Sequence, residues 1–102
     1  MNIDTLKNLI RDGYNLEFTY DGYKRVFCPH LIGWKKGKLK LFGVQFAGSS
    51  SSPLKPKGNW KCLFVDKINN LKKIEKGFKT LSYSRRESTC MDKIIAKHPN
   101  LT

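Results

Sequence analysis

The sequence predicts a mainly β fold, a small SH3-like or Sm-like antiparallel barrel with a helix at each end. Three observations predict it. Apolar and polar residues alternate with a period of two through the middle of the chain, as in strands with one buried face. The strand-like runs are short and separated by turn pairs such as Asp21-Gly22 and Lys36-Gly37. Helical spacing is confined to the two terminal stretches, which leaves a closed sheet as the natural core for a chain of 102 residues. The expected organisation is a domain over residues 1–80, including the N-terminal helix, and an extension over 81–102 whose short helix packs on the barrel.

Residues 2–12 carry Ile3, Leu6, Leu9 and Ile10 on one helical stripe, with Asn2 or Asp4 able to cap the start and Gly13 to stop it. Leu16, Phe18 and Tyr20 alternate with Glu17 and Thr19 as a first strand, and Asp21-Gly22 supplies the left-handed positions of a tight hairpin. Tyr23 to Cys28 is the return strand. Pro29, without an N–H, marks a strand end, an edge or a bulge. Leu31 to Trp34 continues as strand to the Lys36-Gly37 turn, and Lys38 to Phe46 follows as the longest, with Gly43 as a point of bending.

Ala47 to Gly58 is Ser, Pro, Gly and Lys, a mobile loop by composition. Trp60 to Val65 is a fourth strand, Asn69-Asn70 a turn, Leu71 to Glu75 a last strand, and Phe78 to Ser84 extended. Ser84-Arg85-Arg86-Glu87 has capping-box spacing, and Met91, Ile94, Ile95 and His98 trace a helical stripe that ends at Pro99.

Charge limits the function classes. Twenty Lys and Arg face eight Asp and Glu, a formal net charge of +12. Such a balance favours a polyanionic partner, nucleic acid first, with an anionic small ligand or an acidic protein as alternatives. The acidic residues are scattered singly, and between Arg25 and Ile68 none occurs before Asp66, so neither a paired-carboxylate site nor a two-metal site is legible. Cys28, Cys62 and Cys90 lack metal-ligand spacing. Cys28 and Cys62 lie in apolar runs and read as reduced core residues, which suits a reducing, cytoplasmic setting. The N-terminal residues show no signal pattern, and no apolar run approaches the length of a membrane span. No cofactor, metal or catalytic residue is expected.

Several residues fall into a known order. Tyr20, Arg25, Pro29-His30, Gly37 before an apolar strand, and Val65-Asp66-Lys67-Ile68 together resemble the WYL-domain family. Gln45, Gly48-Ser49, Trp60, Phe78, Tyr83, Met91 and Ile94 are similar to positions in small free-standing members. The name-giving tripeptide is Leu39-Lys40-Leu41 here, and the two arginines of a later family motif are Phe64 and Lys67. The resemblance implies an Sm-like barrel of the kind found in bacterial transcription regulators and defence-associated proteins. It also implies a ligand-sensing role, with single-stranded nucleic acid as the best-supported ligand. Without a separate DNA-reading domain, this chain would act as a lone sensor or a partner subunit.

The candidate ligand contacts are Tyr20, Arg25, His30, Gln45, Trp60, Lys61 and Lys67. Arg25 is either a bidentate phosphate grip or a solvated strand charge. His30 either meets a base or phosphate or is a satisfied structural residue. Trp60, with Phe64 on the same strand face, is either a stacking platform beside Lys61 and Lys67 or is covered by terminal segments. Tyr20 is core with its hydroxyl at the rim, and Gln45 needs a hydrogen-bond partner from the backbone or a ligand. Lys35, Lys36, Lys38 and Lys40 at one hairpin tip, with Lys55 and Lys57 on the long loop, form either a soluble surface or a phosphate-tracking funnel. The expected function is non-catalytic binding, with Arg25, His30 and Trp60 on one outer wall. The rival reading is a module that docks an acidic protein, and an RNA-cleaving enzyme built on His30 is a more distant one.

Overall fold

A computed structural model describes residues 2–51, 53–81 and 89–101. Helix α1 spans Ile3–Arg11, with Asn2 Oδ1 accepting the Asp4 N–H at 2.7 Å as its cap. Its Leu6 and Ile10 are fully buried. Nine residues are too few to hold a helix in water, so this apolar stripe against the sheet sustains it.

Strands β1 (Tyr14–Tyr20) and β2 (Tyr23–Lys35) pair through Asp21 and Gly22, both at positive φ. Strand β3 (Lys38–Gly48) returns along β2 from a second such turn at Lys36-Gly37. Strand β4 (Asn59–Phe64) pairs with β3, a 3-10 turn covers Val65–Lys67, and β5 (Asn69–Lys76) pairs with β1. The last strand, β6 (Lys93–Lys97), pairs with β2. The order is β4-β3-β2-β1-β5 with β6 beside β2, all antiparallel.

This is a mainly β fold, but two expectations need correction. The sheet does not close into a barrel: among the described residues β4 and β5 are its two outer members and are not paired. Residues 93–97, expected within a C-terminal helix, instead form β6, while residues 89–90 are helical. The spacing of Met91, Ile94, Ile95 and His98 fits a helix stripe, yet the outer edge of β2 from Leu31 to Trp34 offers unpaired backbone groups, and β6 satisfies them. Gly33 permits this, because a side chain there would run into the Lys93 carbonyl and Met91 Sδ. The proposed capping box lies outside the described residues.

Pro29 does not end its strand. β2 runs through it, paired to β1 as far as Phe27 and to β6 from Leu31, so the residue without an N–H sits at the handover. A bulge between Pro29 and Leu31 bends β2 there, opposite Gly43. A Cβ at Gly43 would collide with the Cys28 carbonyl.

Two clusters form the core. The larger gathers Leu6 and Ile10 of α1 with Leu16, Phe18, Phe27, Ile32, Leu41 and Leu63. The smaller holds Leu31, Phe42, Cys90 and Met91, with Trp60 and Cys62 packed on it. Cys62 and Cys90 form a disulfide, and Cys28 is the free, buried cysteine. The reading of Cys62 as a reduced core thiol is therefore corrected, and its argument for a reducing compartment goes with it. A thiol's partner in a distant element leaves no mark on local patterning. No described helix is long and apolar enough to cross a membrane.

Candidate nucleic-acid interface

Arg25 lies opposite Phe18 in the β1–β2 ladder, so it shares the face that carries the larger core cluster. It is 4% exposed. Its guanidinium stands over the Tyr20 ring at 4.9 Å and the Tyr23 ring at 5.9 Å, and Nη1 donates to Gln45 Oε1 at 3.2 Å. Among the described residues its Nε has no hydrogen-bond partner. Gln45 in turn donates to the carbonyls of Ala47 (3.2 Å) and Ser49 (2.9 Å). The Tyr20 hydroxyl accepts the Phe64 N–H at 3.1 Å. Tyr20, Arg25 and Gln45 thus do come together, as an internal polar knot.

His30 sits on the other face and is 3% exposed. The backbone of Gly77, Phe78 and Lys79 lies across it as a strap. His30 Nε2 donates to the Lys79 carbonyl at 2.8 Å, and its ring stacks on Phe78 at 4.9 Å and meets the edge of Trp60 at 5.0 Å. The Lys79 N–H donates to Cys28 Sγ at 3.4 Å. From the other side of the strap, His98 Nε2 donates to the Gly77 carbonyl at 3.1 Å while its Nδ1 accepts the Asn100 N–H at 3.0 Å. His98 packs on Phe78 at 4.7 Å. Burial, first of all, holds both imidazoles below the ordinary histidine value. The carbonyl bonds oppose it, and for His30 the nearby His98 adds to it. Burial also pushes the Cys28 thiol up.

Trp60 is half-buried and stacks on Phe42 at 5.0 Å with the rings nearly parallel. Lys61, next along β4, projects to the opposite face and is half-buried. The expected common wall of Arg25, His30 and Trp60 is thus not present. Arg25 belongs to the core face, while His30 and Trp60 belong to the strapped face, with His30 covered.

Lys67 is the remaining candidate, and it leads to a cluster that the sequence pattern does not single out as one. Lys40 pairs across the ladder with Phe64. Lys40 Nζ lies 3.7 Å from the Phe64 ring centroid, and Lys67 Nζ lies 5.2 Å from it. Desolvation, then the neighbouring charges of Lys35 and Lys67, push the Lys40 ammonium below its ordinary value. Lys35 reaches Asp92 at 3.5 Å. Cationic ring contacts recur elsewhere: Lys73 and Lys76 lie over Tyr14 at 4.8 and 5.0 Å, and Lys79 over Phe46 at 5.6 Å. The carboxylate of Glu17 engages Lys24 and Lys72.

A cleft of about 470 Å³ is lined by Phe46, Pro56, Lys57, Phe78, Lys79 and Thr80. A smaller one of about 150 Å³ lies beside Trp60, between Lys55, Gly58, Asn59 and Leu81. Among the described residues no group of three or more His, Cys, Asp or Glu comes together to hold a metal ion. No family model, curated protein or solved structure matches the chain.

Proposed function

We propose that this chain is a non-catalytic module that binds single-stranded nucleic acid or an anionic nucleotide-type ligand, with Phe64 and its lysines as the contact surface. One observation carries the reading. Two ammonium groups, Lys40 at 3.7 Å and Lys67 at 5.2 Å, are held over one half-exposed ring, and Lys35 lies near enough that, after desolvation, its charge and that of Lys67 help to push the Lys40 ammonium down. Like charges gathered without an equal number of carboxylates repel, and a phosphate relieves that repulsion while a base stacks on the ring. The net charge of +12 extends the same attraction over the surface.

The resemblance to WYL domains supports this reading at Lys67, which keeps a positive charge at the position of one of the family's groove arginines, while Phe64 departs from the family by putting a ring in place of the other. The burial of both histidines, each tied to a backbone carbonyl, supports a role without acid–base chemistry.

Fluorescence anisotropy with a labelled single-stranded oligonucleotide tests it. Three phosphate contacts give a salt slope of roughly −2 in log K against log salt. Lys40→Glu with Lys67→Glu is expected to flatten that slope and weaken binding. Absence of binding at low salt, or binding that ignores the double variant, would overturn the reading. Retention of an acidic polypeptide with no oligonucleotide binding would favour the docking alternative.

A further inference from the structure

We propose that the cleft between Phe46 and Phe78 is a second, separate site that takes a single nucleotide, its base against the rings and its phosphate between Lys57 and Lys79. The cleft lies at the other end of β3 from Lys40, six residues or about 20 Å along the strand. It therefore stands whether or not the Phe64 surface binds a strand.

The lining chemistry selects the ligand class. Phe46 and Phe78 are both half-exposed, and Pro56 adds an apolar wall. Lys79 is poised over the Phe46 ring, and Lys57 lies in the same cleft, exposed. Thr80 adds a hydroxyl, and among the described residues no carboxylate lines the space. Aromatic faces with cations and no acid suit a flat, anionic molecule and disfavour a metal ion or an amine. The volume of about 470 Å³ falls in the range of small-molecule sites.

One wall of the cleft is also pre-formed. Phe78 is backed by His30 and His98, and the Lys79 backbone is tied at both its N–H and its carbonyl, to Cys28 and His30. Gly77 is tied likewise, its N–H donating to the Gly13 carbonyl at 3.1 Å and its carbonyl accepting from His98. A wall held in this way loses little freedom when a ligand enters.

The test is a two-dimensional amide NMR titration with adenosine 5′-monophosphate, alongside adenosine and inorganic phosphate as separate probes. The nucleotide is expected to shift Phe46, Lys57, Phe78, Lys79 and Thr80 together, and adenosine to shift the ring residues more weakly. Phe46→Ala should weaken the nucleotide by about five- to 150-fold, the span measured for one stacked base. Lys79→Ala, an exposed change that leaves the core alone, should reduce the nucleotide to the adenosine level. Two outcomes overturn the proposal: no shifts in these residues at millimolar nucleotide, or the same shifts from inorganic phosphate alone. Oligonucleotide binding lost with Lys40→Glu and Lys67→Glu, while the mononucleotide shifts persist, would separate this site from the Phe64 surface.

Discussion

Replacing Cys62 and Cys90 together by alanine probes the covalent tie between β4 and the segment that leads into β6. The disulfide joins residues 28 apart in sequence. Closing a loop of that size in the unfolded chain removes about 12 cal/mol/K of entropy, or about 3.6 kcal/mol at room temperature. Cys90 is buried beside Leu31, Phe42 and Met91, so lost packing adds to this rather than offsetting it. A domain of this length loses about 4–8 °C in Tm per kcal/mol, which puts the expected drop at roughly 15–30 °C. Urea unfolding followed by tryptophan fluorescence is the assay, with the parent protein in excess thiol reductant as a parallel arm. Both arms should fall by similar amounts. Thiol titration of the denatured, unreduced parent should find Cys28 alone. A variant within about 0.5 kcal/mol of the parent, a difference typical of neutral surface changes, or three titratable thiols, would refute the reasoning.

Other consequences of the structure are equally direct. Arg25→Ala leaves Gln45 Oε1 without its donor inside the protein, and should cost about 1–3 kcal/mol in urea unfolding; Arg25→Met should cost clearly less. Equal, negligible effects would show that Arg25 is a surface residue. His30 and His98 are both held below the ordinary histidine value. Their contribution to stability is therefore full above the unfolded value of about 6.5, and is lost as pH falls below it, because the unfolded chain takes up protons first. Urea midpoints that stay flat or rise on acidification through that range, compared with those of a His30→Gln, His98→Gln variant, would contradict this. Gly43→Ala should destabilise by at least 1–3 kcal/mol, an estimate of roughly the cost of overpacking, since its Cβ meets the Cys28 carbonyl rather than a side chain that can move. A variant of parental thermal stability would show that the bulge can shift.

Much of the fold is written in local pattern. The alternation of Leu16, Phe18 and Tyr20 places β1, and the Asp21-Gly22 and Lys36-Gly37 pairs place the two hairpins, because only a few residues tolerate positive φ. Likewise α1 follows from one apolar stripe and one cap. What stays hidden depends on contacts between distant segments. The residues KIIAK read equally well as helix or strand until the open edge of β2 decides between them. Arg25 looks like an exposed strand charge until Tyr20, Tyr23 and Gln45 enclose it. His30 looks available until residues 77–79 cross it. In the same way the Lys40–Phe64 pair exists only through the register of β3 against β4, and the Phe46–Phe78 cleft only through the path of the strap.

The handover on β2 has a consequence for biogenesis. The stretch Leu31 to Trp34 gains its outer neighbour from residues 93–97, some sixty positions later in synthesis. Until those residues leave the ribosome, a row of amide and carbonyl groups beside Leu31 and Ile32 stands open to any passing strand. A chain stopped short of β6 should therefore self-associate through that row. Chaperone capture or aggregation of nascent chains is expected to cease once β6 has been made.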